Sequence, residues 1–248
     1  MKRFLLLLLA ALLLAPLCAL AVRYPRPNYR KFEKTKQVTK KVPANEATTN
    51  LFTYHMISPV PTEVYNRMLG KSFPKGCQFD IKQLTYLTFK HYGFDGKVYT
   101  GEMVVNKAIA KPVLKIFRKL FEQKYQIERI KLIDDFGAND ANSMKTNNTS
   151  CFCYRKIAGS DKLSKHSLGL AIDINPLYNP CVSLIDGVIS KVEPIEGKPF
   201  MVRDNRDPRR IKKGDVVYKA FTENGFVWGG DWENPLDFQH FEYKVNLE

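Results

Sequence analysis

Short helical and strand patterns alternate along this chain without a regular βαβ rhythm, and this limits the folds open to it. Pro112 begins a stretch, residues 112–121, whose apolar residues recur at helical spacing, so we predict an amphipathic helix with proline in its first turn. Ile130, Leu132 and Asp134 alternate as a strand would. This mixture predicts an α+β domain with a mainly antiparallel central sheet flanked by helices.

Later segments fit the same fold class. Asp215 is placed to cap a helix, and Gly225, directly after Asn224, is a typical helix stop signal. Residues 170–174 and 238–243 read as short strands. With 44% hydrophobic and 26% charged residues, the composition excludes a disordered tail, a collagen and a multi-span membrane protein.

The N-terminus has the pattern of a secretory signal peptide. Lys2 and Arg3 precede an uncharged run, residues 4–22, which ends near the small-residue site Ala19-Leu20-Ala21. We therefore predict a signal peptide over residues 1–21 and an exported, periplasmic or cell-envelope-associated protein with no stable membrane span after cleavage. An uncleaved N-terminal anchor is the alternative, because the run is just long enough to cross a bilayer.

A basic segment follows the predicted cleavage point. Residues 22–50 carry eight Lys and Arg with little apolar periodicity, which predicts an extended linker. The formal net charge of +14 could suit nucleic acid, an anionic membrane or an anionic envelope polymer. For an exported chain we expect the arm to contact anionic cell-envelope polymers and expect no nucleic-acid partner. Residues 51–248 are then predicted to form one folded domain.

Two of the four His in the chain lie in distinctive segments, SKHSLGLAID and DFQHFE. His166, Asp173 and His240 could supply two imidazoles and a carboxylate, the ligand set of a catalytic zinc site with one open position. The alternative is that both His lie in polar loops and make ordinary hydrogen bonds without binding a metal.

Two acidic residues flank His240 and compete for one role. Asp237, three residues earlier, could accept a proton from a metal-bound water. Glu242 would share a strand face with His240 and could instead orient its imidazole without binding metal. We favour Asp237 as the base and Glu242 as the orienting group.

The segments SKHSLGLAIDINP and DFQHFE together resemble the zinc D-alanyl-D-alanine carboxypeptidase family of peptidoglycan peptidases, which includes an L-alanyl-D-glutamate endopeptidase branch. The family pattern is S-x-H-x-x-G-x-A-x-D, followed by an acidic residue three places before a His. Further similarity extends over most of residues 73–243. The resemblance implies the small α+β fold shared with the hedgehog signalling domain.

The resemblance also implies roles for matching residues. His166, Asp173 and His240 would hold one Zn²⁺ ion, and Asp237 would act as the general base. Arg155 would pair with a substrate carboxylate or with the developing oxyanion, as the planar donor fork of a guanidinium allows.

Ser164 would hydrogen-bond substrate near the metal. Two cysteines depart from the family pattern: residues 152–155 read F-C-Y-R where F-N-Y-R is expected, and Cys181 stands where an aromatic residue is expected after N-P. Because both cysteines are unusual for the family and the predicted compartment is oxidising, we expect a disulfide between Cys153 and Cys181. Cys151 or Cys77 could be the partner instead, because four Cys allow three full pairings.

The implied activity is zinc-dependent hydrolysis of amide bonds in peptidoglycan stem peptides by attack of metal-bound water, as in a D-Ala-D-Ala carboxypeptidase. Cleavage between L-Ala and D-Glu by an endopeptidase of the same family is an alternative. A non-catalytic, zinc-containing cell-wall-binding module and a secreted polyanion binder are two others.

Overall fold

The computed structural model describes residues 51–157, 159–203 and 207–244. The signal peptide and linker predicted for residues 1–50 lie outside the described residues, and the domain boundary at residue 51 stays a prediction. The helices are α1 (Thr62–Met68), α2 (Ala110–Glu122), α3 (Asp140–Lys145) and α4 (Val216–Thr222). Within the described ranges, every helix is too short or too polar to cross a bilayer.

The strands are β1 (Tyr54–Ile57), β2 (Leu84–Tyr92), β3 (Val98–Asn106), β4 (Arg129–Ile130), β5 (Asn148–Thr149), β6 (Ala171–Asp173), β7 (Cys181–Ile185), β8 (Val188–Glu193), β9 (Phe226–Trp228), β10 (Leu236–Asp237) and β11 (His240–Tyr243). They form three antiparallel sheets, in the orders β1-β2-β3, β10-β7-β8 and β6-β11-β9, and β4 pairs with β5 in parallel. The domain is therefore α+β, as predicted.

The first sheet and α2 build much of the core. Strand β2 largely alternates buried and half-buried residues, so one of its faces packs inward. The ring of Phe117 on α2 lies 4.4 Å from that of Phe89 on β2, measured between centroids. Full burial of such a side chain stabilises the fold by about 1.5–3 kcal/mol. The helix predicted from Pro112 is confirmed, with Pro112 in the first turn of α2.

The sheet β6-β11-β9 separates core from site. Its register places His240 opposite Asp173 and Phe241 opposite Ile172. Because successive side chains of a strand point to opposite faces, His240 and Phe241 face different sides. Phe241 stacks on Phe221 of α4 with 4.1 Å between centroids. Helix α4 thus packs against one face of this sheet, and the other face carries His240 and Asp173.

The third sheet brings β10 to the edge of the same region. Asp237 on β10 lies opposite Cys181 on β7, and Cys181 lies opposite Glu193 on β8. The β7–β8 hairpin turns through Asp186 and Gly187, whose φ values of 52° and 75° are typical of a type I′ turn.

Most of the local predictions are confirmed. Asp215 accepts a hydrogen bond of 2.8 Å from the Tyr218 N–H and caps α4. The strand-like runs at 170–174 and 238–243 contain β6 and β11.

Two predictions need correction. The strand predicted through Asp134 ends at Ile130, and a 3₁₀ turn, Ile133–Phe136, follows. Its geometry lets Asp134 accept bonds from the Ser72 N–H and hydroxyl. The strands also form separate three-stranded sheets among the described residues, where one central sheet was predicted. The likeness to the hedgehog domain stays a prediction.

Candidate metal centre

One extended segment brings several of the predicted site residues together. Residues 150–157 run antiparallel to residues 162–173, beginning with paired backbone bonds between Ser150 and Asp173 of 3.2 and 3.0 Å. Farther along, the Cys153 N–H donates to the His166 carbonyl at 3.2 Å. The Ser164 N–H donates to the Arg155 carbonyl at 3.0 Å. We call this pairing the seam, and it fixes Asp173, His166 and Arg155 relative to one another.

A short 3₁₀ turn, Lys165–Leu168, holds His166 at the seam. Ser164 caps the turn, its Oγ accepting from the His166 N–H at 3.2 Å. Gly169 ends the turn with a φ of 65°, in the left-handed region that favours glycine. A Cβ at this position would lie 2.7 Å from the Asn106 backbone nitrogen, so the close approach of β3 also requires glycine.

The side chains of His166, Asp173 and His240 converge in the interior. Their ligand atoms all lie within 4.8 Å of one another, and all three residues are buried. His166 Nε2 lies 3.2 Å from His240 Nδ1 and 3.3 Å from Asp173 Oδ2. His240 Nδ1 lies 3.1 Å from Asp173 Oδ1. The structure therefore brings together the three residues predicted to bind metal.

The outward nitrogen of each imidazole has a hydrogen-bond acceptor. His166 Nδ1 is 2.7 Å from the Cys151 carbonyl, so that nitrogen must carry the proton. His240 Nε2 is 3.3 Å from Glu242 Oε2. With the outward nitrogens as donors to these acceptors, the inward nitrogens are the ones that can offer lone pairs to a cation beside the Asp173 carboxylate.

Such an arrangement favours a cation. Three inward lone-pair donors repel one another unless a positive charge lies among them. Although burial lowers the pKa of His240, its hydrogen bonds to Asp173 and Glu242 and the charges of Asp173 and Asp237 outweigh it and raise that pKa to about 10, so a proton on His240 supplies this positive charge when no metal is bound. The two imidazoles, by charge and hydrogen bonding, hold the pKa of Asp173 well below its usual range despite burial. The donor set of two nitrogens and a carboxylate fits zinc.

Asp237 lies beside this cluster on β10. Gly229 allows the approach, because a Cβ there would lie 2.9 Å from the Asp237 Cβ and 3.3 Å from the His240 Cβ. Asp237 Oδ1 is shielded from solvent and has no hydrogen-bond partner among the described residues. Burial raises the pKa of Asp237 to about 6, and the charge of the neighbouring His240 acts in the opposite direction.

Arg155 reaches the site from the seam. Its Nη2 is 2.8 Å from Asp140 Oδ2 on α3, and the side chains are 32% and 28% exposed. Burial acts to lower the pKa of Arg155, but the charges of Asp140, Asp173 and Asp237 outweigh it and raise that pKa. The guanidinium therefore lies within the field of the site's carboxylates.

Sequence reasoning missed Asp140. It directly follows the Asn139 cap of α3, where an acidic residue is explained by the helix N-terminus alone. No local pattern distinguishes it from an ordinary first-turn carboxylate, because its contact with Arg155 is a matter of tertiary structure.

The predicted disulfide is absent and needs correction. All four cysteines of the described residues, Cys77, Cys151, Cys153 and Cys181, carry free thiols. The Cys153 side chain is buried in the seam, two residues before Arg155. The Cys181 side chain faces Asp237 on the neighbouring strand. The two thiols thus lie in different surroundings, and neither is bonded to Cys151 or Cys77.

Comparison with known proteins identifies part of the chain. Residues 158–243 match the model of a family described as D-alanyl-D-alanine carboxypeptidase. The match contains His166, Asp173, Asp237 and His240, whereas Arg155 precedes it. No curated protein and no solved structure matches the chain. The resemblance of this chain to the D-alanyl-D-alanine carboxypeptidase family is confirmed, over residues 158–243.

Proposed function

We propose that the chain is a zinc-dependent peptidase that hydrolyses amide bonds in peptidoglycan stem peptides, in the manner of a D-Ala-D-Ala carboxypeptidase. The family match supports a peptidase that acts on peptidoglycan. The observation that carries the finer proposal is the buried convergence of His166, Asp173 and His240 beside the unpartnered Oδ1 of Asp237.

His166 Nε2, His240 Nδ1 and the Asp173 carboxylate would hold the metal. When bound, zinc would supply a Lewis acid that lowers the pKa of water to about 7 and polarises a carbonyl. The chain's part is to orient both imidazoles with their inward nitrogens toward the metal. The Cys151 carbonyl and Glu242 do this by accepting the outward N–H groups.

Asp237 would act as the general base. Its Oδ1 is a free acceptor in a buried position, so it can take the proton of an attacking water without first breaking a hydrogen bond. The same oxygen can then deliver the proton to the leaving amine. Glu242 is less suited to this role because it is hydrogen-bonded to His240 Nε2 at 3.3 Å.

Arg155 would bind negative charge on the substrate. Its Nη2 contacts Asp140, while its Nε is shielded from solvent and has no partner in the described part of the chain. An unpartnered guanidinium donor near the base suits the substrate carboxylate of a carboxypeptidase or the oxyanion formed during hydrolysis. Ser164 would donate to substrate with its hydroxyl hydrogen, since its Oγ already accepts from the His166 N–H.

Incubation with defined stem peptides tests the proposal. We expect the purified chain, loaded with zinc, to release a single terminal alanine from a pentapeptide stem ending in D-Ala-D-Ala, as measured by mass spectrometry. A chelator should abolish the reaction. Cleavage between L-Ala and D-Glu would identify the endopeptidase alternative. Zinc binding without any cleavage would identify a non-catalytic module.

A matched pair of variants tests the assignment of the base. Asp237→Asn should leave zinc bound and lower kcat by about 10²–10⁴-fold, the usual contribution of general base catalysis. Glu242→Gln should instead weaken zinc binding by about 10–100-fold, as expected for a group that orients a ligand. Near-normal turnover by Asp237→Asn would move the base to Glu242.

The proposed function also implies a location. We propose that residues 1–21 direct export and that the basic residues of 22–50 contact anionic polymers of the cell envelope. Mass analysis of the protein recovered from its native envelope should give an N-terminus at Val22. An N-terminus at Met1 would support the uncleaved anchor.

A further inference from the structure

Arg155 is anchored in two different ways, one for its backbone and one for its side chain. Ser167 Oγ accepts from the Arg155 N–H at 2.7 Å and donates to the Arg155 carbonyl at 2.6 Å. Ser164 adds a backbone bond to the same carbonyl. These contacts fix where the side chain begins, but they leave the rotamers of the long side chain open.

Asp140 is the residue that holds the guanidinium end of the Arg155 side chain. The ion pair between Asp140 Oδ2 and Arg155 Nη2 measures 2.8 Å, and both side chains are less than one-third exposed. An arginine side chain loses about 2 kcal/mol of rotamer entropy when it is held in one conformation. A partly buried ion pair of this geometry can offset much of that loss, which a fully exposed pair would not do.

The orientation that results leaves one donor unused. Arg155 Nε is shielded from solvent without a partner among the described residues, and a buried unsatisfied donor costs about 1–3 kcal/mol. Contact with Asp140 therefore holds the guanidinium in a pose that carries an energetic cost until a ligand accepts from Nε.

We infer that Asp140 is a positioning residue, which holds the Arg155 guanidinium toward the metal centre so that its free donor is ready for substrate. The inference rests on the proposed function, because it assigns Asp140 a task in the same reaction. The competing explanation is purely structural: Asp140 lies in the first turn of α3, where a carboxylate stabilises a helix by about 0.3–1 kcal/mol.

A double-mutant cycle separates the two explanations. Asp140→Asn should lower kcat/KM by about 10–100-fold, the scale of effect expected when a substrate-binding group is misplaced, with zinc content unchanged. In an Arg155→Ala background the same substitution should cause no further loss. Asp140→Glu should recover part of the activity. A loss that is equal in both backgrounds would overturn the inference.

Asp161→Asn is the matched control. It removes the 2.7 Å ion pair between Asp161 and Lys156, the neighbour of Arg155, but Asp161 is 99% exposed. We expect this variant to keep wild-type activity. If Asp161→Asn lost as much activity as Asp140→Asn, any ion pair in this segment would have the same effect, and the specific role of Asp140 would be refuted.

A second measurement does not depend on turnover. In the zinc-loaded chain, ¹⁵N relaxation of the Arg155 Nε–H group should report a rigid side chain that becomes mobile in Asp140→Asn and stays rigid in Asp161→Asn. A mobile group in the wild type would overturn the inference. If the chain cleaves no stem peptide, the proposed function fails, but the relaxation result still decides whether Asp140 fixes Arg155.

Discussion

Replacement of Gly169 by alanine should damage both the fold and the metal centre. Gly169 ends the turn that carries His166 and has a φ of 65°. An added Cβ would lie 2.7 Å from the Asn106 nitrogen and 3.2 Å from the Val105 carbonyl carbon, both backbone atoms of β3. Strand β3 cannot swing aside as a side chain could. The Asn106 N–H also donates to the Gly169 carbonyl at 2.9 Å, so separating the two segments strains this bond.

Gly137 provides the control that separates these effects. It also ends a 3₁₀ turn, with a φ of 72°, but nothing lies within 4 Å of the place that an alanine Cβ would occupy. Gly137→Ala should therefore cost only the left-handed conformation, about 1–2 kcal/mol. Gly169→Ala adds overpacking, typically about another 1–3 kcal/mol. We expect a total of about 2–5 kcal/mol for Gly169→Ala.

Thermal unfolding of the metal-free variants measures the difference. In a domain of 150–250 residues, 1 kcal/mol shifts Tm by about 2–4 °C. Gly137→Ala should thus lower Tm by roughly 2–8 °C, and Gly169→Ala should lower it further. Zinc affinity should fall only in Gly169→Ala, because its turn carries His166. Equal Tm shifts and equal zinc affinities in the two variants would refute the backbone clash.

Two further predictions concern His91 and Cys181. Burial lowers the pKa of His91 to about 4, below its unfolded value, so the folded state should lose stability as pH falls. The loss should be about 2 kcal/mol between pH 8 and pH 5. His91→Asn, which keeps a donor for the Ile127 carbonyl, should lose this part of the pH dependence in urea unfolding; an unchanged pH dependence would contradict the assignment. Cys181 lies directly opposite Asp237, so Cys181→Ala should lower kcat by roughly fivefold, about 1 kcal/mol for a lost polar neighbour of the base, and Cys181→Ser should lower it less; equal kcat in the alanine variant and the wild type would show that the thiol does not orient the base.

Local patterns made part of this structure predictable. The helical spacing after Pro112 and the Asp215 cap are encoded within a few residues, and α2 and α4 form there. The residues predicted as zinc ligands also come together in space. Their distinctive segments made this possible, because each segment contains its own turn or strand and needs only one long-range pairing, between β6 and β11.

Long-range contacts account for what the sequence did not reveal. Asp140 contacts Arg155 only after α3 and the seam have packed together, and its position in the helix already has a local explanation. The proposed Cys153–Cys181 disulfide failed for a similar reason. Departure from a family pattern marks unusual positions, but whether two thiols meet depends on strand register, and the register places Cys181 opposite Asp237.

The spacing of the two His-containing segments has a physical explanation in this fold. From His166, one 3₁₀ turn ending at Gly169 leads into β6, where Asp173 is the last residue. Antiparallel register then places His240 directly opposite Asp173, so the first residue of β11 meets the last residue of β6. Asp237 must precede His240 by a short turn, because β10 belongs to a different sheet and Asp237 has to pair with Cys181 there. An inserted residue between Asp237 and His240 that shifts the register of either strand by one would turn the side chain of that strand to the opposite face and separate the proposed base from the metal ligands.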